Sequence, residues 1–280
     1  MLKRRLPRRR AIATLAETGA FLTRMATALA AAFVVLAALN VGLGMAERSG
    51  RDGVVASLDG SVSPKSLPRH RSVPVALTLT GSIHSETAPP PQLASLELAF
   101  GTRGGLTTAG LPRCRGTQLR NATQRQAREM CGDALVGQGR ISSEVLLNPE
   151  DPVPAHASVL AFNGELGGKP VVWLHAYSAS PPVSFALPFS LRHLGAGSYG
   201  ISLRTPVSST LGRWLRLRTF RITIGRRYSV HGAQRSYLSA NCPLPPRFHS
   251  LDVPLARATY RFTPGPTLNI PISRWCSVRE

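Results

Sequence analysis

The chain has 280 residues, 43% of them hydrophobic, with 25 Gly, 23 Pro and a formal net charge of +20. That is enough apolar side chain for one large domain or two small ones with a real core, and too much for a disordered composition. The charge favours anionic partners. Frequent Pro and Gly between short apolar runs favour an all-β fold. Lysine occurs only at Lys3, Lys65 and Lys169, an arginine excess that a GC-rich coding bias explains as well as function does.

Residues 1–24 form a basic segment (Lys3, Arg4, Arg5, Arg8, Arg9, Arg10 and Arg24 against Glu17), and Met25–Ala46 is a run of 22 residues without charge. A basic flank before an apolar run is an export signal. At about 1.5 Å per residue the run is long enough to span a bilayer as a helix. Gly44-Met45-Ala46 before Glu47 also makes an acceptable cleavage site, so signal peptide and retained membrane anchor both stand. Either way the rest of the chain lies outside the cytoplasm, at the cell membrane or beyond it. Seven of the 34 basic and one of the 14 acidic residues precede Glu47, which leaves +14 on the exported part. Anionic envelope polymers or lipid headgroups fit that charge; nucleic acid is not an expected partner of an exported protein.

Residues 47–72 are polar, with scattered Gly, Ser and Pro, and read as a flexible linker. A β domain is expected over 73–280. Strands are expected at Val75–Thr80 and Leu96–Phe100, with the Pro89-Pro90-Pro91 segment between them unfit for a central strand. Thr117–Met130 reads as the one helix of the exported part, short and polar, with a capping box at Thr123 and Gln126 and Gly132 as its stop. Further strands are expected at Ala134–Gly139, Ile141–Leu147, Ser158–Asn163, Val171–Tyr177, Val183–Leu191, Tyr199–Leu203, Ala256–Phe262 and Thr267–Ile272. Turns are expected at Asn163-Gly164, Gly167-Gly168 and Pro264-Gly265. In Trp214–Ile224 the apolar phase slips between Leu217 and Phe220, which predicts a β-bulge near Thr219. Tyr228–Val230 and Ser236–Ala240 flank His231–Gln234 as a hairpin. About ten residues per strand argues for an antiparallel β-sandwich, Ig-like or jelly-roll-like.

Four cysteines in an oxidising compartment read as two disulfides. Three pairings are possible. Cys114–Cys131 and Cys242–Cys276 are favoured because each brackets one local unit, and the first would pin the short helix to the sheet. No CxxC occurs and no His lies at ligand spacing from a Cys, so no metal site is expected; no cofactor is expected either.

Trp173, His175 and Tyr177 alternate along one strand and so share a face. Such a row can stack a sugar or another flat ligand; the commoner meaning is a packed sheet face with polar tips at its rim. Arg216 and Arg218, then Arg221, Arg226 and Arg227, form a stripe that can meet regularly spaced phosphates or carboxylates, or simply be a solvated outer face. HExxH, GxSxG and GxxxxGK are all missing, so no catalytic residue is assigned. A Glu144/Asp252 carboxylate pair and a His175/Asp252/serine triad are the weak remaining options.

The segments LPRC (Leu111–Cys114), AFNG (Ala161–Gly164), SYLSANCP (Ser236–Pro243) and ARA (Ala256–Ala258) resemble a group of uncharacterised exported proteins of high-GC actinobacteria. The resemblance runs over roughly Gln92–Arg279 and implies the same exported, cysteine-paired β domain, with no activity or ligand attached. The expected function is therefore a non-catalytic cell-envelope binding or structural module with a basic surface. The alternative is a secreted hydrolase or carbohydrate-active enzyme with a nonstandard site near His175 and Tyr177.

Overall fold

Alternation of inward apolar and outward polar residues draws most of the chain into strands. The computed structural model describes residues 46–87, 90–148, 151–211 and 214–279. The basic segment and all of the apolar run before Ala46 lie outside the described residues. Among the described residues no helix is long and apolar enough to cross a membrane.

In chain order the strands are β1 (Glu47–Arg51), β2 (Val54–Ser63), β3 (Ser66–Leu67), β4 (Val73–Pro74), β5 (Ala76–Ser85), β6 (Gln92–Gly101), β7 (Gly104–Leu106), β8 (Leu135–Asn148), β9 (Asp151–Leu166), β10 (Lys169–Ala179), β11 (Pro182–His193), β12 (Tyr199–Pro206), β13 (Leu215–Ile224), β14 (Arg227–Val230), β15 (Ala233–Ser236), β16 (Leu238–Ala240), β17 (Ser250–Thr263) and β18 (Thr267–Val278). Thirteen of them form one sheet in the order β1-β2-β5-β13-β8-β9-β10-β11-β12-β6-β17-β18-β3. Every pairing in it is antiparallel except the short β18–β3 contact. β4, β16 and β7 make a second, small sheet, and β14–β15 is a separate hairpin.

The large sheet curls until β18 comes against β1 and β2. Arg274 on β18 donates to Glu47 Oε1 at 2.8 Å, to the Gly60 carbonyl at 2.9 Å and also to Asp59. Tyr260 on β17 donates to the Ser57 carbonyl across the interior at 3.1 Å. Leu58, Val136, Phe220, Tyr260, Ile270 and Ile272 fill the inside of the curl. A second core lies outside the sheet, beneath the helices, and a third surrounds Cys242 and Cys276. Both disulfides, Cys114–Cys131 and Cys242–Cys276, join the pairs the sequence favours.

Five sequence expectations need correction. Residues 47–72 are not a linker: β1, β2 and β3 lie there, and Val54, Ala56 and Leu58 are buried in the main core. Ser57 and Asp59 interrupt the short apolar run Val54-Val55-Ala56-Leu58, and polar and glycine residues bound it on both sides, which is why the stretch reads as polar. The expected helix is two, α1 (Gly116–Leu119) and α2 (Gln124–Cys131). The chain breaks at Asn121, which has φ +58°, because Thr123 starts a fresh helix. Its hydroxyl accepts from Gln126 N at 3.3 Å while Gln126 Oε1 accepts from Thr123 N at 2.8 Å, the expected capping box. Gly132 has φ −55° and carries the chain into a short 3-10 turn instead of stopping it. Asn163-Gly164 is not a turn but the interior of β9, which turns only at Gly167-Gly168. The register shift in β13 falls between Leu217 and Thr219, as the phase slip predicts. The hairpin pairs Arg227–Val230 with Ala233–Ser236 rather than with Ser236–Ala240, whose Leu238–Ala240 part joins the small sheet instead; it turns on His231-Gly232 alone with φ +49° and +80°, the positive pair that a two-residue turn of matching twist requires.

Candidate functional site

Two neighbouring regions share the outer face of the large sheet. In register, Arg221 (β13), Arg140 (β8), Ser158 (β9) and Tyr177 (β10) lie on one rung, and Thr223, Gln138, Leu160 and His175 on the next. Directly opposed residues of antiparallel strands point to the same side. The aromatic row and part of the arginine stripe therefore occupy one surface, far apart in sequence.

The first region is covered. The segment from Leu111 through α2 lies over β9 and β10, and its attachments explain two of the sequence motifs. Asn163 accepts from Cys114 N at 2.9 Å and donates its amide to the Pro112 carbonyl at 2.9 Å. Arg113 pairs with Glu165 at 2.8 Å. Position 164 must be glycine, since a Cβ there would lie 2.4 Å from the Trp173 ring and 2.5 Å from the Cys114 carbonyl. The disulfide Cys114–Cys131 closes the cover at its far end. Beneath it pack Leu119, Ala127, Leu160, Phe162 and Trp173.

This cover corrects the ligand-face expectation. Trp173 is 6% and His175 0% exposed; only Tyr177 reaches the rim, half-buried. The helix break aims the Ala122 carbonyl at the sheet. His175 Nε2 donates to it at 2.9 Å, and Ser184 Oγ donates to it as well, at 2.9 Å. A carbonyl only accepts, so the proton sits on Nε2 and Nδ1 is bare. Burial pushes the His175 pKa down, opposed in part by the Ala122 hydrogen bond, and the ring is held neutral. Among the described residues no carboxylate bonds to it. Asp252 lies on β17 opposite Trp275, separated from β10 in the sheet by β11, β12 and β6. Glu144 is engaged by Arg218, at 2.9 Å from Nε and 2.6 Å from Nη2. Neither the proposed triad nor the carboxylate pair is assembled. Among the described residues no three His, Cys, Asp or Glu side chains gather as a metal site.

The second region is open. A groove of about 1100 Å³ runs between α2 and the β8–β13 pair, lined by Gln124, Gln138, Arg140, Arg221, Thr223 and Arg226 among others, with no Asp or Glu among the described residues that line it. Arg226 is held in place: its Nη1 donates to the carbonyls of Asp133 at 2.7 Å and Leu135 at 2.9 Å, closing the C-terminal end of the helical segment. Arg128 on α2 reaches Gln138 at 3.4 Å. The five arginines of the stripe thus do not act together. Arg221 and Arg226 line the groove. Arg218 is paired with Glu144. Arg216 borders a small cavity of about 40 Å³ at the other end of β13, beside Leu215, Pro91 and Phe262. Arg227 leaves on the hairpin, exposed. Arg140, which sequence reading passed over, stands opposite Arg221; only the strand register brings the two together.

No protein-family model, curated protein or solved structure matches the chain.

Proposed function

We propose that this chain is an exported or membrane-anchored, non-catalytic module of the cell envelope that holds an anionic polymer or lipid headgroups against a basic surface. In this reading Met25–Ala46 is its signal peptide or single-pass anchor, the curled sheet is the body of an Ig-like or jelly-roll-like sandwich, and the chain is kin to the exported actinobacterial group it resembles. Two disulfides fit an oxidising, extracellular environment. The observation that carries the proposal is the contrast on the outer face: the one histidine placed like a catalytic group is sealed under the helices, while the open groove beside it offers arginines and no acid.

Retention of the full-length chain on a polyanion-coated matrix at graded salt tests it. Screening shortens from about 10 Å at 0.1 M salt to about 3 Å at 1 M. The expected result is tight retention at low salt and release as salt rises. Retention indifferent to salt, or equal retention on a polycation matrix, would remove the electrostatic partner.

A further inference from the structure

From the cross-strand arginine pair we infer a specific site: the groove between α2 and the β8–β13 pair binds the phosphate groups of a linear, phosphate-bearing polymer. This inference rests on the envelope-binding reading above and assigns it a location and a ligand chemistry. Arg140 and Arg221 are direct partners in the ladder, which sets their Cβ atoms about 5 Å apart on one face. Like charges so placed destabilise a sheet. Three arginines elsewhere in the sheet and its cover are answered by acids: Arg218 by Glu144, Arg113 by Glu165, and Arg274 by Glu47 and Asp59. Here no acid lines the groove, and the third cation, Arg226, is fixed by two carbonyls rather than free to swing away.

The donor set selects phosphate. One carboxylate is satisfied by one guanidinium fork, whereas a phosphate group offers oxygens to several forks at once. Arg140 and Arg221 supply two forks from the floor and Arg226 reaches in from the wall. Gln124, Gln138, Thr223 and Ser158 add neutral hydrogen-bonding groups along the same groove, as a repeating polymer with hydroxyls between its charges requires. Beyond Ser158 the rung continues to the half-buried Tyr177, whose ring gives an intervening sugar or polyol a flat surface. The groove opens to solvent, which leaves room for a polymer to run on past the bound phosphate.

The test uses the full-length chain in mild detergent against three probes: inorganic polyphosphate, polygalacturonate, and vesicles of anionic phospholipid. R140Q/R221Q is compared with R247Q/R261Q, which removes the same charge from exposed arginines outside the groove lining. The expected result is that R140Q/R221Q weakens polyphosphate binding about tenfold or more, as loss of charge-assisted bonds to one ligand does. The control should change it less than about threefold, in keeping with diffuse charge alone. R221K keeps the charge but loses the fork, and is expected to fall between the two. An unchanged near-ultraviolet circular dichroism spectrum shows that each variant is folded. Equal losses in both double variants would overturn the groove while leaving a basic envelope binder in place. Tighter binding to polygalacturonate or to vesicles than to polyphosphate would overturn the phosphate assignment. Failure of the wild type to bind any of the three would remove the envelope reading itself.

Discussion

The covered and the open halves of the outer face are built on the same strands, yet one is core and the other is surface. Rungs of β8, β9 and β10 run through both. What separates them is a single segment, Leu111 to Cys131, that lies over one half and stops at the edge of the other. Under it, a Trp–His row that has the pattern of a ligand platform becomes packing, with His175 neutral and bonded to a carbonyl. Beside it, arginines that have the pattern of an ordinary solvated face become the floor of a groove. Alternation along a strand fixes which residues share a face, but not whether anything lies on top of it.

If the cover makes the difference, releasing it should convert one half toward the other. C114S/C131S frees a 17-residue loop, and chain entropy puts the loss at about 3 kcal/mol, read as a lower urea midpoint. The same variant should let water reach His175, and its NMR titration should move up toward the ordinary value of 6.5. An unchanged titration would mean that the helices seal the site without the sulfur bridge.

The sealed histidine also gives the protein a pH dependence of known sign. Its folded pKa lies below 6.5, so between the two values the unfolded chain binds a proton that the folded chain does not. Stability is then complete above about pH 6.5 and declines as pH falls through that value toward the folded pKa. H175Q keeps a side-chain N–H donor for the Ala122 carbonyl and cannot titrate, so its stability should be flatter between pH 7.5 and 5 than that of the wild type. Parallel curves would show that other groups dominate the acid limb.

Much of this arrangement was legible in the sequence wherever the cause was local. The capping box at Thr123, the bulge before Thr219 and the cysteine pairs each depend on neighbours in the chain or on one short loop. Two things were not legible. Val54–Asp59 hides a core strand because Ser57 and Asp59 interrupt its apolar run and Gly53 and Gly60 bound it. The Arg140–Arg221 opposition depends on how β13 inserts between β5 and β8, a long-range pairing that no local pattern encodes. The Trp173–His175–Tyr177 row was read correctly as one face and incompletely as to its cover, since α1 and α2 carry few large apolar residues to announce what they bury.

The paired and unpaired arginines of β8 and β13 sharpen the comparison further, because they should respond with opposite signs. Arg218 is about one-third exposed and engages Glu144, whose side chain is 19% exposed. Removing the cation in R218Q strands a mostly buried carboxylate, at a cost of about 1–2 kcal/mol once solvent screening is allowed for. The double variant E144Q/R218Q should recover most of it, since no charge is then left behind.

R140Q should do the reverse. Arg140 and Arg221 are both exposed, oppose each other directly and share a groove lined by no acid. Taking away one charge relieves a cross-strand repulsion of roughly 0.2–1 kcal/mol, so the ligand-free variant should unfold at slightly higher urea than the wild type. Salt discriminates this from a simple packing gain. Raising sodium chloride screens the repulsion in the wild type, whose stability should climb toward that of R140Q, and the two curves should converge as the Debye length shrinks below the spacing of the pair. Phosphate polymer should have the same converging effect at far lower concentration, because it neutralises the pair by binding and stabilises only the folded state. A variant that is less stable than the wild type at every salt concentration would mean that Arg140 already has a stabilising partner within the chain, and the groove would lose its reason to hold an anion.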